Sequence, residues 1–255
     1  ALKKVLASSE TVFSPEIVRY KTLEDGDSLA LHIFKPRNMQ AGEKRPAIVY
    51  FFGGGWKLGT PIQFYRECAY YASKGMVAVS VDYRIGYLHH STPFESFEDA
   101  KDAICWLRSH ASDYQLDPDK IAVAGGSAGG HLAAALGTIG SDETVPAGYR
   151  PNLSVLYYPV IDMVSRGYGF PEIKRDFEKI SPIHHVSEAT PSTLILLGTK
   201  DPIVSVETIE AYQDKLLQKG VDCELHLFEG AGHPIFLYRK PLTEAVSYTH
   251  LRAHE

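Results

Sequence analysis

Short apolar runs alternate with longer amphipathic stretches along the chain. The runs are rich in β-branched and aromatic residues, and they cover residues 28–34, 46–52, 76–82, 120–124, 153–158, 193–198 and 222–228. Runs of this kind are typical of strands that are covered on both faces. Between them, apolar residues recur at steps of three and four from Phe97 to Ala111 and from Val206 to Leu216, which predicts amphipathic helices. The alternation predicts an α/β fold with a mostly parallel central sheet and helices on both faces.

One stretch breaks this alternation. Residues 162–191 are irregular, rich in charged and aromatic residues, and interrupted by Pro171 and Pro182. They predict a small irregular lid-like insertion, with an ordinary surface excursion carrying one short helix as the alternative. The 255 residues suit a single domain, 1–255, that can bury a full core. Residues 245–255 resemble a translated sequencing adapter, so we expect a non-native tail there.

Composition limits the partners that the chain can have. A formal charge of -5 and an isoelectric point near 6.1 offer no basic surface for a polyphosphate, so we expect no nucleic-acid partner. Because no apolar run reaches the roughly 18 residues that cross a bilayer, we expect a soluble chain without a membrane partner. Cys68, Cys105 and Cys223 are far apart in the sequence, which predicts three separate thiols packed as small apolar residues.

The compartment and the oligomeric state stay open at this stage. The chain starts at Ala1 and lacks the basic and apolar regions of a signal peptide. It would be secreted or periplasmic if a signal peptide has been removed, and cytoplasmic otherwise.

The clearest candidate for chemistry is a serine between glycines. Gly125-Gly126-Ser127-Ala128-Gly129 follows the apolar run 120–124 and precedes a helix of small residues. Strand, tight turn and helix in this order form a nucleophile elbow, in which a strained turn exposes the serine hydroxyl at a helix N-terminus. The glycines are needed because a side chain there would collide with the neighbouring strand or helix. We therefore expect Ser127 to be a nucleophile, with the N–H of Ala128 donating to an oxyanion.

A second glycine-rich turn, Gly53-Gly54-Gly55, follows the apolar run 46–52. Consecutive glycines let backbone amides approach a substrate oxygen, and removal of one such donor typically costs about 10² to 10³ in rate. We expect the N–H groups of Gly54 and Gly55 to complete the oxyanion hole.

A nucleophilic serine needs a base that takes its proton and a carboxylate that orients the base. Asp201 follows the apolar run 193–198, and His233 follows the last run, so both lie at carboxyl ends of predicted strands, where ligands meet such sheets. We expect His233 to be the base and Asp201 the acid. Asp162 is the alternative acid, because it follows another predicted strand; otherwise it lines the pocket or caps a turn.

We interpret the paired loop histidines and one acidic cluster as structural features without a role in chemistry. The paired loop histidines, His89 with His90 and His184 with His185, have no carboxylate or cysteine at ligand spacing, so we expect no metal site. The acidic cluster in residues 95–102 predicts a solvated helix face.

Taken together, these residues resemble those of the single-domain esterases with the α/β-hydrolase fold, the group of hormone-sensitive-lipase-like carboxylesterases and acetyl-xylan or feruloyl esterases. The resemblance runs from about residue 15 to about residue 240, and its motifs are Gly53-Gly54-Gly55-Trp56, Val81-Asp82-Tyr83-Arg84, Asp99-Ala100-Lys101-Asp102-Ala103, Trp106-Leu107-Arg108, Gly125-Gly126-Ser127-Ala128-Gly129-Gly130-His131, Asp201 and Gly232-His233. Many relatives have a histidine before the triple glycine. This chain has Phe52, which cannot donate a hydrogen bond, so we expect a less firmly held loop.

The resemblance implies a serine carboxylesterase that hydrolyses short acyl esters, such as acetyl or feruloyl esters of plant polysaccharide, through an acyl-enzyme on Ser127. It implies no cofactor, and a small-molecule or polysaccharide-linked ester as the partner. The candidates for the pocket wall are Trp56, Phe64, Tyr83 and Asp162. The alternatives are a serine peptidase of the prolyl-oligopeptidase type and a non-catalytic binding protein with the hydrolase fold.

Overall fold

The structure is a computed structural model that describes residues 14–140, 147–163 and 176–234. In that part of the chain, eight strands form one sheet in the order β1-β2-β4-β3-β5-β6-β7-β8. The strands are β1 Glu16–Thr22, β2 Ser28–Phe34, β3 Arg45–Phe51, β4 Val77–Val81, β5 Leu116–Gly126, β6 Leu153–Tyr157, β7 Ser192–Gly198 and β8 Cys223–Phe228. All seven apolar runs of the sequence are strands, and β5 begins earlier than predicted.

Strand direction follows the prediction. Strands β3 to β8 pair in parallel, whereas β1 with β2 and β2 with β4 pair antiparallel. The α/β class and the mostly parallel central sheet are therefore confirmed. The parallel strands end side by side, with Phe51 opposite Gly125 and Gly126 opposite Tyr157. This common carboxyl edge carries the candidate site.

Strand β1 was missed by the sequence prediction. It lies at the edge of the sheet, and its side chains are mostly exposed or half-buried, Ile17 among the exposed ones. An edge strand of this kind carries polar and charged residues instead of a continuous apolar run, so it gives no strand pattern.

Five α-helices connect the strands in the described ranges. They are α1 Tyr65–Ser73, α2 Gly86–His89, α3 Pro93–Ser109, α4 Ala128–Thr138 and α5 Val206–Gln218. The two helices predicted from an apolar repeat are α3 and α5, and their apolar stripes are buried. The helix of small residues predicted after Ser127 is α4. Helix α3 begins at a capping box, in which Thr92 accepts a backbone N–H bond and the Glu95 carboxylate accepts the Thr92 N–H.

The predicted insertion at 162–191 is only partly described. Its later part contains two 3₁₀ turns, Phe177–Ile180 and Pro182–His184, whose isoleucines are buried. This part packs onto the body of the fold, because Lys215 Nζ on α5 donates to the Ile183 carbonyl at 3.1 Å. Residues 164–175 and the proposed tail 245–255 lie outside the described residues, so the lid and the tail stay predictions.

The prediction of a solvated acidic face was wrong for one member of the cluster. The Asp99 side chain is 0% exposed, whereas that of Asp102 is 52% exposed. Burial of Asp99 is possible because Lys21 and Arg84 both pair with it, at 2.6 and 2.8 Å. The cysteines also differ from expectation: Cys68 is buried, but Cys105 is exposed.

Candidate active site

Ser127 lies in the turn between β5 and α4, in a backbone conformation that non-glycine residues rarely adopt. Its φ is 56° and its ψ is -120°. The neighbouring glycines allow this turn, since a Cβ on Gly125 would come within 2.3 Å of the Gly129 carbonyl oxygen. A Cβ on Gly129 would come within 2.0 Å of the Phe51 carbonyl oxygen. The elbow therefore needs glycine on both sides of the serine.

His233 connects the serine to an acid. Its Nε2 lies 3.0 Å from Ser127 Oγ, and its Nδ1 lies 2.7 Å from Asp201 Oδ2. These three residues come from the turn after β5, the loop after β7 and the loop after β8, so the sheet edge brings together side chains that are up to 106 positions apart. The arrangement has the geometry that the sequence analysis expects of a nucleophile, a base and an orienting carboxylate.

The Asp201 carboxylate is buried and fully partnered. Burial opposes the ionisation of Asp201. Its carboxylate pairs with His233 and accepts the backbone N–H groups of Ile203 and Val204, at 2.8 and 3.0 Å. These hydrogen bonds outweigh the effect of burial and hold the pKa of Asp201 below its usual range. A charged Asp201 next to Nδ1 fixes the imidazole with its proton on Nδ1. Nε2 is then left as the acceptor that faces the serine hydroxyl.

The triple glycine turn lies beside the serine. Gly54 and Gly55 have φ values of 144° and 62°, and a Cβ on Gly54 would lie 1.9 Å from the Leu58 carbonyl oxygen. Within the described residues, the N–H groups of Gly54, Gly55 and Ala128 donate to no other group. Gly53 differs, because its N–H donates to Gln63 Oε1 at 2.5 Å. The three predicted oxyanion donors are thus available, at a turn and a helix N-terminus.

The loop at Phe52 is firmly held, contrary to the expectation from the missing histidine. The Phe52 ring stacks on Tyr83 with a centroid distance of 4.0 Å, and the Tyr83 hydroxyl donates to the Phe52 carbonyl at 2.6 Å. Gly59 fits against the Phe52 ring where a Cβ would come within 2.5 Å. Aromatic packing therefore holds this loop without the histidine that many relatives have before the triple glycine.

The predicted pocket wall needs correction for three aromatic residues. Trp56, Phe64 and Tyr83 are 1%, 3% and 0% exposed, so they belong to the core behind the glycine turn and offer no surface to a ligand. Asp162 is half-buried in the segment after β6. His233 Nδ1 pairs with Asp201, so the position of the acid is filled without Asp162.

Two contacts of the site were missed by the sequence analysis. Tyr158, directly after β6, places its ring 4.6 Å from the His233 ring at an interplanar angle of 62°. Gln63 fixes Gly53, as described above. The Tyr157-Tyr158-Pro159 run at a strand end was the available signal for the first contact. Nothing in the sequence pattern pointed to the glutamine.

Neither a metal cluster nor a membrane helix is present in the described ranges 14–140, 147–163 and 176–234. No group of three or more His, Cys, Asp or Glu residues there could hold a metal ion. No helix there has the length and apolar character to cross a bilayer. Of the paired histidines, His89 accepts the Ile85 N–H through Nδ1 at 3.0 Å, and His185 bonds the Glu178 carbonyl at 2.7 Å.

Comparison with known proteins gives matches to esterases. The BD-FAE family matches residues 31–165. The chain is 28% identical over 223 residues to the esterase LipC of Mycobacterium tuberculosis, a match covering 75% of this chain and 53% of that protein. It is 26% identical over 227 residues to an acetylxylan esterase of Xylanibacter ruminicola, covering 83% of this chain and 44% of that protein. The chain spans about half the length of the curated relatives it matches.

Among solved structures, the chain is similar to esterase 2 of Thermogutta terrifontis. The form phosphoramylated by tabun aligns with a TM-score of 0.86 at 35% identity, covering 94% of this chain and 95% of that one. Other structures of that esterase are described as phosphorylated by paraoxon, propionate bound and butyrate bound.

Proposed function

The chain belongs to the BD-FAE family, within the α/β-hydrolase esterases, and from that membership we propose that it is a serine carboxylesterase acting on short acyl esters. The observation that carries the proposal is the continuous chain of contacts from Ser127 Oγ through His233 to Asp201. A serine hydroxyl is a weak nucleophile by itself, and this arrangement is the one that activates it.

Acylation uses these groups in a fixed order. His233 Nε2 takes the proton of Ser127 Oγ as the oxygen attacks the ester carbonyl carbon. The oxyanion that forms accepts hydrogen bonds from the N–H groups of Gly54, Gly55 and Ala128. When the tetrahedral intermediate collapses, the C–O bond to the alcohol breaks, and His233 gives its proton to the leaving oxygen. An acyl group is left on Ser127.

Deacylation repeats the steps with water. His233 removes a proton from water, the hydroxide attacks the acyl carbonyl, and the same donors hold the second oxyanion. Collapse releases the carboxylic acid, and Ser127 recovers its proton from His233. Asp201 stays ionised throughout both steps. It stabilises the imidazolium of His233 through the hydrogen bond to Nδ1 and does not take its proton.

The substrates that we propose are acetyl or feruloyl esters of plant polysaccharide, or small esters of similar acyl size. The propionate- and butyrate-bound structures of the Thermogutta esterase support a short acyl group. The acetylxylan esterase of Xylanibacter ruminicola supports a polysaccharide-linked acetyl ester. Phosphorylation of the Thermogutta esterase by paraoxon is consistent with an activated nucleophile in this fold.

A panel of esters tests this function. We expect hydrolysis of p-nitrophenyl esters from acetate to decanoate to be fastest at the short end, with activity on acetylated xylan or methyl ferulate. Ser127→Ala should lower kcat by about 10⁴ or more, since the nucleophile and base act as a unit. Ser109→Ala, which changes an exposed serine on α3, is the matched control and should keep the wild-type rate.

Two outcomes would replace the proposal. Equal rates for wild type and Ser127→Ala would exclude the mechanism. Turnover of peptide amides at rates comparable to those of esters would favour the serine peptidase alternative, and a wild-type chain inactive on every ester would favour the binding protein.

A further inference from the structure

His131 lies one turn into α4 and is completely buried. Its Nδ1 accepts the indole N–H of Trp56 at 3.3 Å, and its Nε2 donates to the carbonyl of Ile180 at 2.7 Å. A ring that accepts through one nitrogen and donates through the other is the neutral imidazole with its proton on Nε2. Burial also lowers the pKa of His131 to about 4, so this form persists at neutral pH.

Trp56 is the residue that ends the triple glycine turn. Its backbone has a φ of 58°, a left-handed conformation that is strained for a large side chain and persists only when its surroundings impose it. The indole meets the His131 ring edge to face, with a centroid distance of 5.1 Å and an interplanar angle of 87°. The Trp56 carbonyl accepts the Gly86 N–H at 2.8 Å. These contacts fix the end of the turn next to Gly54 and Gly55.

His131 is also tied to the nucleophile elbow. Its backbone N–H donates to the Ser127 carbonyl at 2.9 Å, within the first turn of the helix that presents the Ala128 N–H. One residue therefore joins the two separate segments that carry the candidate oxyanion donors. The other end of the glycine turn is held independently, by Gln63 and Tyr83.

We propose that His131 is a positioning residue of the esterase, which sets the spacing between the Gly54–Gly55 donors and the Ala128 donor by accepting the Trp56 indole N–H. The inference rests on the proposed function. His131 is buried behind the turn, and it acts on the transition state only through the donors that it positions. Such donors act on the transition state, so their displacement lowers kcat more than it raises KM.

Two substitutions distinguish the roles of the two ring nitrogens of His131. In His131→Asn the Oδ1 atom can take the place of Nδ1 and keep the Trp56 bond, while the donor to Ile180 is lost. In His131→Gln the Nε2 atom can keep the donor to Ile180, while the acceptor for Trp56 is lost. We expect His131→Gln to lower kcat about 10-fold or more with KM within about 3-fold, and His131→Asn to stay within about 3-fold of wild type.

Trp56→Phe removes the same bond from the other partner. It should lower kcat as His131→Gln does. The double variant Trp56→Phe with His131→Gln should lose little more activity than either single variant, because both changes break the same hydrogen bond. Equal losses in His131→Asn and His131→Gln would overturn the proposal, since the Ile180 bond or the ring volume would then be what matters. Wild-type kcat in both His131→Gln and Trp56→Phe would also overturn it.

A second readout needs no catalysis. The chain has two tryptophans, Trp56 and Trp106, so ¹⁵N-labelled indole groups give two NMR signals, which Trp106→Phe assigns. We expect the Trp56 indole proton to move in His131→Gln and to keep its position in His131→Asn. If wild type hydrolyses no ester but this shift appears, the proposed esterase function is wrong, although the hydrogen bond between Trp56 and His131 is present. If wild type is active and the shift is absent, the positioning role has failed.

Discussion

At the scale of single residues, burial favours the neutral form of two groups, an acid and a histidine, and so shifts their pKa values in opposite directions. The carboxyl of Asp82, directly after β4, has its pKa raised to about 6, chiefly by burial and against the opposing charge of His89. His131 has its pKa lowered to about 4, again by burial. One group prefers to keep its proton in the folded protein, and the other prefers to lose it.

These preferences have opposite effects on stability between pH 4 and 6. The folded protein holds a proton on Asp82 that the unfolded chain has released, so this group's contribution to stability falls as the pH rises towards about 6. Between pH 4 and 6.5 the unfolded chain binds a proton on His131, whereas the folded protein keeps this imidazole neutral. The contribution of His131 is therefore complete above the unfolded pKa, near 6.5, and is lost as the pH falls towards about 4.

Urea denaturation of Asp82→Asn, His131→Asn and wild type at several pH values tests this balance. Differences from wild type cancel the contributions of all other groups. From pH 4 to 6, Asp82→Asn should gain free energy of unfolding relative to wild type, and His131→Asn should lose it, each by at most about 1.4 kcal/mol per pH unit. Parallel pH curves for the three proteins would contradict the assigned pKa directions.

At the scale of elements, Asp99 joins three parts of the fold. Lys21 comes from the edge strand β1, Arg84 from the segment after β4, and Asp99 itself from α3. Asp99 also accepts the backbone N–H of Arg84 at 2.9 Å. The weakly patterned edge strand β1 is therefore attached to the body of the protein by a buried charge as well as by its pairing with β2.

The neighbouring acid Asp102 offers a matched comparison, because it contacts the same lysine at 2.6 Å from an exposed position. Asp99→Asn should lower the free energy of unfolding by about 3 kcal/mol or more, since it leaves two cations facing a neutral group in a buried site. Asp102→Asn should cost less than about 1 kcal/mol. Equal losses in denaturant titrations would show that burial of Asp99 has no energetic consequence.

The elements that the sequence predicted well are those whose pattern is local. Continuous apolar runs and a helical repeat predicted seven strands and the helices α3 and α5, because buried elements must be apolar on the faces that they bury. Strand β1 could not be predicted in this way, since its pairing depends on β2 and its surface faces solvent. The burial of Asp99 depends on cations 78 and 15 positions away, which no local pattern reveals.

At the scale of the whole molecule, the site forms where the parallel strands end together. The chain order of Ser127, Asp201 and His233 was readable from the sequence because each follows an apolar run, and the sheet brings them into hydrogen-bond contact. The roles of Trp56 and Tyr83 were not readable. Aromatic residues near a site can line it or lie behind it, and only the packing around His131 and Phe52 distinguishes the two.

Labelling with a fluorophosphonate tests most directly whether Ser127 is an activated nucleophile, and it needs no assumption about the substrate. Mass spectrometry of the labelled protein should place the adduct on Ser127 in wild type, and Ser127→Ala should remain unlabelled. Asp201→Asn should label at least about 100-fold more slowly, because the imidazole loses the carboxylate that orients it. An unlabelled wild type, or a Ser127→Ala variant labelled at the wild-type rate, would show that Ser127 is not an activated nucleophile.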